Sequence, residues 1–423
     1  MKVSKIVLVL VFWFIAAGSL LPAIRAEVTI PEYQARIEEC KEALEKNPEQ
    51  AEVLAEVGWL CHFYLADNQT ATEYFQKALS YDSKQAKALE GLGIIYDSKG
   101  FYDEAFNYFI QLVYSIPQSP IAEVYLWRAF YLLPSVSASQ ELTNLCQDLI
   151  DSTLASHILK ANAHWILSEI NQRQAKIEEA VVEIEKLGFI KDWLTIGSFD
   201  NEGKAGFDQV FPPEEEIDLN KTYEGKERDV KWRRLQIRPK FGYLDLGALF
   251  RPHEKTTAYA LTFVHSPSHQ AIALRVGSSD AIKVWLNDQL LLSRDVYRPA
   301  NFDQDAAGGF LHQGWNKLLV KVCQDEGDWG LYLRLTDPQG GLLPNLSFST
   351  EEVRLKDIKS YPSLEAEAEV KGGEHRGAST CRCSCVSNQA EVTTRLRKDC
   401  GPRWRLRAAA CCGSRRQVQP AAL

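Results

Sequence analysis

The chain has 423 residues, enough for at least two domains with separate cores. Its formal net charge of −8 is unevenly placed: from 371 onward nine Arg and two Lys face three acidic residues, leaving −16 before that point and +8 after it. A body this acidic excludes nucleic acid as a partner.

At the start, Lys2 and Lys5 precede an apolar run from Ile6 to Ala17, and Gly18, Pro22 and Ala26 lead into polar sequence. That is the layout of a secretory signal over 1–26, cut after Ala26. Left uncut, the same segment would be a membrane anchor, since apolar character persists to Ile24. No cysteine follows the run, which argues against a bacterial lipid anchor, and no other segment is apolar enough to span a bilayer. The expected location is therefore outside the cytoplasm, in the periplasm or cell envelope, with the extracellular space as the variant.

From 27 to 188 apolar residues recur at helical spacing. Ile37, Cys40, Ala43 and Leu44 end at Asn47-Pro48 and read as the second helix of a half repeat. Segments 51–65 and 71–80 form a first clear helix pair, and 85–98 and 102–114 a second. Segments 121–133 and 141–150 form a diverged third, with Tyr125 and Trp127 where small residues are expected; 159–172 and 177–187 form a fourth, with Leu167, Ser168, Ala180 and Ile184 in register. Ala71 and Ala105 are 34 residues apart, as are Phe75 and Phe109, while Gly58 and Gly93 differ by one more. The small residues let two helices of a pair approach closely, and the phenylalanines fill the gap to the next pair. A helix-pair repeat of this period stacks into a solenoid, and four units suffice to bury the shared faces.

The pattern resembles the tetratricopeptide repeat (TPR) family. That resemblance implies an α-solenoid whose first helices line a groove holding other polypeptides. Carried over by register, the groove face is Glu52, Ala55, Trp59 and His62 in one unit and Lys87, Glu90, Ile94 and Asp97 in the next. Two readings stand side by side: a mixed-charge groove for a protein or peptide partner, or a solvated face on a spacer. His62 reads as an ordinary groove residue rather than a ligand or base.

From 189 to 350 the apolar period changes to two. Runs at 257–264, 270–276, 281–287, 317–323 and 329–335 alternate and are divided by Gly, Pro, Asp and Asn, which argues for an antiparallel β-sandwich. Ile282, Val284 and Leu286 face one way with Lys283, Trp285 and Asn287 opposite; Leu318, Val320 and Val322 oppose Lys317 and Lys321; parity puts Trp329 in the core. The run from Trp193 to Asn201, Gly206-Phe207-Asp208, Phe211-Pro212-Pro213-Glu214, Val284-Trp285-Leu286-Asn287-Asp288 and Gly314-Trp315-Asn316 resemble galactose-binding-like jelly-roll modules of exported bacterial proteins. Some relatives carry TPR units and this module ahead of a transglutaminase-like catalytic domain, of which nothing is recognisable in this chain. A glycan or cell-wall site would need an exposed aromatic with polar neighbours, and Trp285 with Lys283 and Asn287 is the candidate; the competing reading covers Trp285 with other structure. Asp303, Asp305 and Asp337 could offer oxygens to calcium but read better as turn formers, so no metal and no cofactor is expected.

No phosphate-cradling loop, His-Glu-x-x-His or nucleophile elbow is present. Cys40, Cys61, Cys146 and Cys323 read as buried free thiols; His253, His265, His269 and His312 lack metal-ligand spacing; Glu214, Glu215 and Glu216 read as solvated surface. Residues 351–370 form a linker. The 371–423 tail, with six of the ten cysteines, reads as out-of-frame sequence, with a genuine disordered tail or a metal site as alternatives. The whole is expected to be a multidomain α-then-β protein, a TPR-like solenoid followed by a jelly-roll sandwich, acting as a non-catalytic exported interaction scaffold. The alternatives are a glycan-binding module on a helical spacer and the front part of a transglutaminase-like enzyme.

Overall fold

The computed structural model describes residues 30–137, 139–235 and 239–358; the signal over 1–26, the 371–423 tail and most of the linker lie outside the described residues. Within it the chain divides at 166/167 into two compact units.

In the first unit, helices α1 (Ile30–Lys46), α2 (Ala51–Phe63), α3 (Asn68–Tyr81), α4 (Ala86–Lys99), α5 (Tyr102–Ser115), α6 (Pro120–Leu132) and α7 (Ser139–Asp151) lead into α8 (His157–Arg173). Local chemistry sets the ends. Asp67 Oδ1 accepts the Thr70 amide at 3.0 Å, the Gln85 side chain accepts that of Ala88, and Ser119 caps a helix opening on Pro120. Gly100 closes α4 at φ +81, a conformation that costs glycine nothing.

Phe75 explains the stacking. A Cβ on Gly58 would lie 2.7 Å from its ring and one on Gly91 only 2.3 Å away, so the ring is held between glycines of two successive pairs. Phe109 repeats the contact with Gly93 but meets Tyr125 on the far side, the rings stacked at 5.0 Å. Tyr125 lies 34 residues after Gly91, so one helix repeat later a stack replaces a close approach. The apolar seam from Ile37 to Ile95 is continuous across these pairs.

The second unit opens with the end of α8 and α9 (Ile177–Glu185), then turns to strands. Strands β1 (Leu194–Asp200), β4 (Arg233–Arg234), β6 (Thr256–Ser266), β8 (Ile282–Leu286), β9 (Gln289–Arg294), β11 (Gly314–Gln324) and β13 (Ser347–Ser349) make a seven-stranded sheet, ordered β4-β1-β6-β11-β8-β9 with β13 on β6. Strands β10 (Asp305–Leu311), β7 (Gln270–Ser278), β12 (Gly330–Thr336) and β5 (Leu244–Asp245) make the opposing sheet in that order. From β6 to β12 the chain passes back and forth between the sheets, apart from the β8–β9 hairpin that stays in one, which is the jelly-roll path of a sandwich, and these pairings are antiparallel. Val284, Val320, Leu331 and Trp329 fill the space between the sheets, Trp329 at 1 % exposure. The expected class, solenoid then antiparallel sandwich, is the observed one.

Two expectations need correction. The larger sheet is buried on both faces: Ile196, Phe199, Tyr259, Phe263 and Leu319 on its outer side pack under Phe211, Tyr223, Val230 and Trp232 from the 202–232 segment, where β2 (Thr222–Glu224) pairs with β3 (Asp229–Lys231). Lys321, placed outward by alternation, is therefore fully buried. Glu214 is not solvated surface either. It sits on the short helix α10 (Pro212–Glu215) and accepts from Lys321 Nζ at 2.8 Å, while Glu215 and Glu216 are exposed.

Candidate functional site

Of the first helices, α2 and α4 touch directly, and α4 is joined to α6 by side-chain bonds. On the first-helix face Glu52 is exposed, while Trp59, Lys87, Glu90, Ile94 and Asp97 are partly buried. Ala55 and His62 are not available to a partner. Ala55 is in the seam at 0 % exposure, and His62 Nδ1 lies 2.6 Å from Asn68 Oδ1.

Ion pairs and a hydrogen bond cross from each first helix to the next. Lys87 pairs with Glu56; Tyr125 Oη donates to Glu90 Oε1 at 2.6 Å; Arg128 Nε donates to Asp97 Oδ2 at 2.6 Å. The sequence pattern does not pick out Glu56, Tyr125 and Arg128 as partners, although their offsets of 31 and 35 residues lie close to the 34-residue repeat. A second ladder joins the other helices: Tyr114 Oη donates to Asp148 and the Ser137 amide to Asp103, both at an offset of 34. The same register carried into the third pair places Val124, at 43 % exposure, Arg128 and Tyr131, at 62 %, on the first-helix face. Tyr131 stacks on Trp127. The result is a stripe of carboxylates, paired cations and open apolar side chains across three repeats.

Burial pushes the Glu90 carboxyl up to about 7, against the pull of the Tyr125 hydroxyl and the Lys87 charge. Among the described residues Cys40, Cys61, Cys146 and Cys323 are buried and form no disulfide. Burial raises the Cys61 thiol and takes that of Cys323 to about 11, so neither is an activated nucleophile. His269 and His312 do come together, ring centroids 5.2 Å apart, yet among the described residues no three His, Cys, Asp or Glu groups cluster as a metal site requires.

The glycan candidates are each occupied. Trp285 is half-buried against the outer apolar cluster. Lys283 Nζ sits over the Phe207 ring, 3.9 Å from Asp208. Asn287, at φ +49 in the β8–β9 turn, donates to Asn316 Oδ1 at 2.8 Å and accepts the Lys317 amide. The candidate calcium oxygens are equally engaged: Asp303 holds Arg334 by two parallel bonds, Asp305 holds Arg294 and Arg298, and Asp337 accepts the Gln339 and Gly341 amides in its own turn.

An open cleft of about 560 Å³ in the sandwich is lined by Tyr243, Tyr332, Asp245, Asp328, Arg251 and His253 among others. The two tyrosine rings lie 5.0 Å apart, and Gly330 leaves room for Tyr243, whose hydroxyl would be 2.6 Å from a Cβ there.

No family model matches the sequence, and neither does any curated protein. Among solved structures the chain is similar to YrrB, a TPR protein with an unusual peptide-binding site, at 19% identity over 35% of this chain and 73% of that one, with a TM-score of 0.26. It is similar to a tetratricopeptide repeat protein from Parabacteroides merdae at 21% identity over 38% of this chain and 61% of that one, TM-score 0.22. The PA14 domain of the antifreeze protein MpAFP shares 12% identity over 21% and 46%, TM-score 0.19. Scores this low leave the assignment of fold to the chain's own helix pairs and sheets.

Proposed function

We propose that this chain is a non-catalytic, exported interaction scaffold that holds a polypeptide along the first-helix face of its solenoid. One observation carries the reading: Glu52, Val124 and Tyr131 stand exposed and Ile94 partly so across three repeats, on a face where Lys87 is already paired with Glu56 and Arg128 with Asp97. A preformed surface binds an extended chain without first ordering itself. The signal-like 1–26 segment supports export. The test is binding of the full chain to an array of unstructured peptides, repeated with Val124→Ala/Tyr131→Ala. Loss of binding with unchanged helical circular dichroism supports the face; undiminished binding sends the site elsewhere.

A second reading, a glycan held by the sandwich, is favoured by the cleft rather than by Trp285. Two tyrosine rings can stack on a sugar's C–H face while Asp245 and Asp328 accept its hydroxyls. Polysaccharide binding lost in Tyr332→Ala but kept in Trp285→Ala would establish it.

A further inference from the structure

The polypeptide reading of the first-helix face says nothing of the partner's chemistry, and the solenoid's charge does. Between 30 and 166 nineteen Asp and Glu stand against nine Lys and Arg, a net −10 that exceeds the −8 of the whole chain. The cations of the stripe are already committed, Lys87 to Glu56 and Arg128 to Asp97. Its carboxylates are not balanced in the same way. Glu52 is exposed and carries no ion pair among the described residues. Glu90 accepts a neutral phenol, and burial leaves its carboxyl poorly compensated. Beside them the exposed ring of Tyr131 can attract ammonium or guanidinium groups, and Ile94 and Val124 offer apolar ground for the methylene stems of long side chains.

We propose that the occupant is an extended basic segment of another polypeptide, whose Lys or Arg side chains reach Glu52 and Glu90 while their stems lie on Ile94, Val124 and Tyr131. This rests on the polypeptide reading above. Packed helix axes lie about 8–10 Å apart, and an extended chain covers that distance in about three residues. Basic residues repeating near that interval match the stripe best.

The test measures fluorescence anisotropy of the full chain with three labelled peptides of equal length: one with Lys at every third position among Ala and Gly, one with Glu there, and one with Ser. Binding of the Lys peptide, weakened by salt and reduced about tenfold by Glu52→Lys, supports the proposal. Glu73→Lys on α3 makes the same charge change off the stripe. An equal loss there means diffuse attraction and overturns the site. Tighter binding of the Glu or Ser peptide overturns the basic occupant while leaving a polypeptide site standing. Failure of all three to bind removes the polypeptide reading itself.

Discussion

Glu90 shows how one side chain can be placed by the repeat and tuned by its neighbours. Its ordinary value of 4.5 rises to about 7 on burial, so between those limits the folded chain binds more protons at this site than the unfolded one. Stability is therefore full below the unfolded value and falls as pH rises through the window. Glu90→Gln keeps an oxygen for the Tyr125 hydroxyl and cannot ionise. Urea unfolding followed by helical circular dichroism at pH 5, 6, 7 and 8 should show the wild type losing up to about 3 kcal/mol that the variant retains. Parallel profiles would mean the carboxyl is solvated. Little of this was legible in the sequence. Register found Glu90 on the groove face, and the 34-residue spacing found Phe75 and Phe109, because a shape that must recur in every repeat leaves a periodic trace. Tyr125 broke the pattern and read as divergence, although its ring replaces the Gly91 contact and its hydroxyl reaches back to Glu90. Ala55 and His62 went the other way. Their register put them on the open face, but register fixes an angle on the helix and not how far the neighbouring helix has closed over it.

At the scale of elements, β11 is the clearest case. Its alternation of two was plain, and Leu318, Val320 and Val322 do face the sandwich core. Alternation distinguishes two faces without saying that one meets water, so it places Lys321 opposite the core residues and leaves open what covers it. In the structure Lys321 Nζ donates to Gln209 O at 2.6 Å and Phe207 O at 3.3 Å as well as to Glu214, which also accepts from Tyr259 Oη. These bonds hold the 202–216 segment over the sheet. Strand β10 left no signal at all, because Ala306, Ala307, Gly308 and Gly309 have little strand preference and are held by pairing with β7. Removing one member of a buried ion pair strands the other, at a cost of about 3–5 kcal/mol, whereas replacing both with apolar groups costs much less. Lys321→Met and Glu214→Leu should therefore each, taken singly, destabilise the second unit more than the two together do. A double-mutant cycle in urea measures the difference. Additive losses would show that the pair does not act as a unit.

For the whole molecule, the change of period at Gly188 suggested where the helical part ends, yet the compact units part at 166/167, inside α8. Periodicity reports secondary structure, and α9 is helical whichever unit it serves. What assigns it is tertiary bonding beyond its end. Leu187 O accepts from Arg334 Nη1 at 3.3 Å, the Ile190 amide donates to Leu333 O at 2.9 Å, and the Phe189 ring lies against Phe302 and Tyr332. Arg334 is 1 % exposed and also holds Asp303, so the Leu187 carbonyl completes a buried cation's set of acceptors. A fragment of 189–358 loses that acceptor and starts its chain at the residue that must pack on Phe302. A fragment of 157–358, beginning with α8, keeps both. The longer fragment should be more stable by about 1–3 kcal/mol, the cost of leaving a buried donor unsatisfied. That difference would appear as a melting temperature several degrees higher by circular dichroism in the strand region. Equal melting temperatures would return the boundary to Gly188 and make the end of the helical run a linker rather than part of the sandwich.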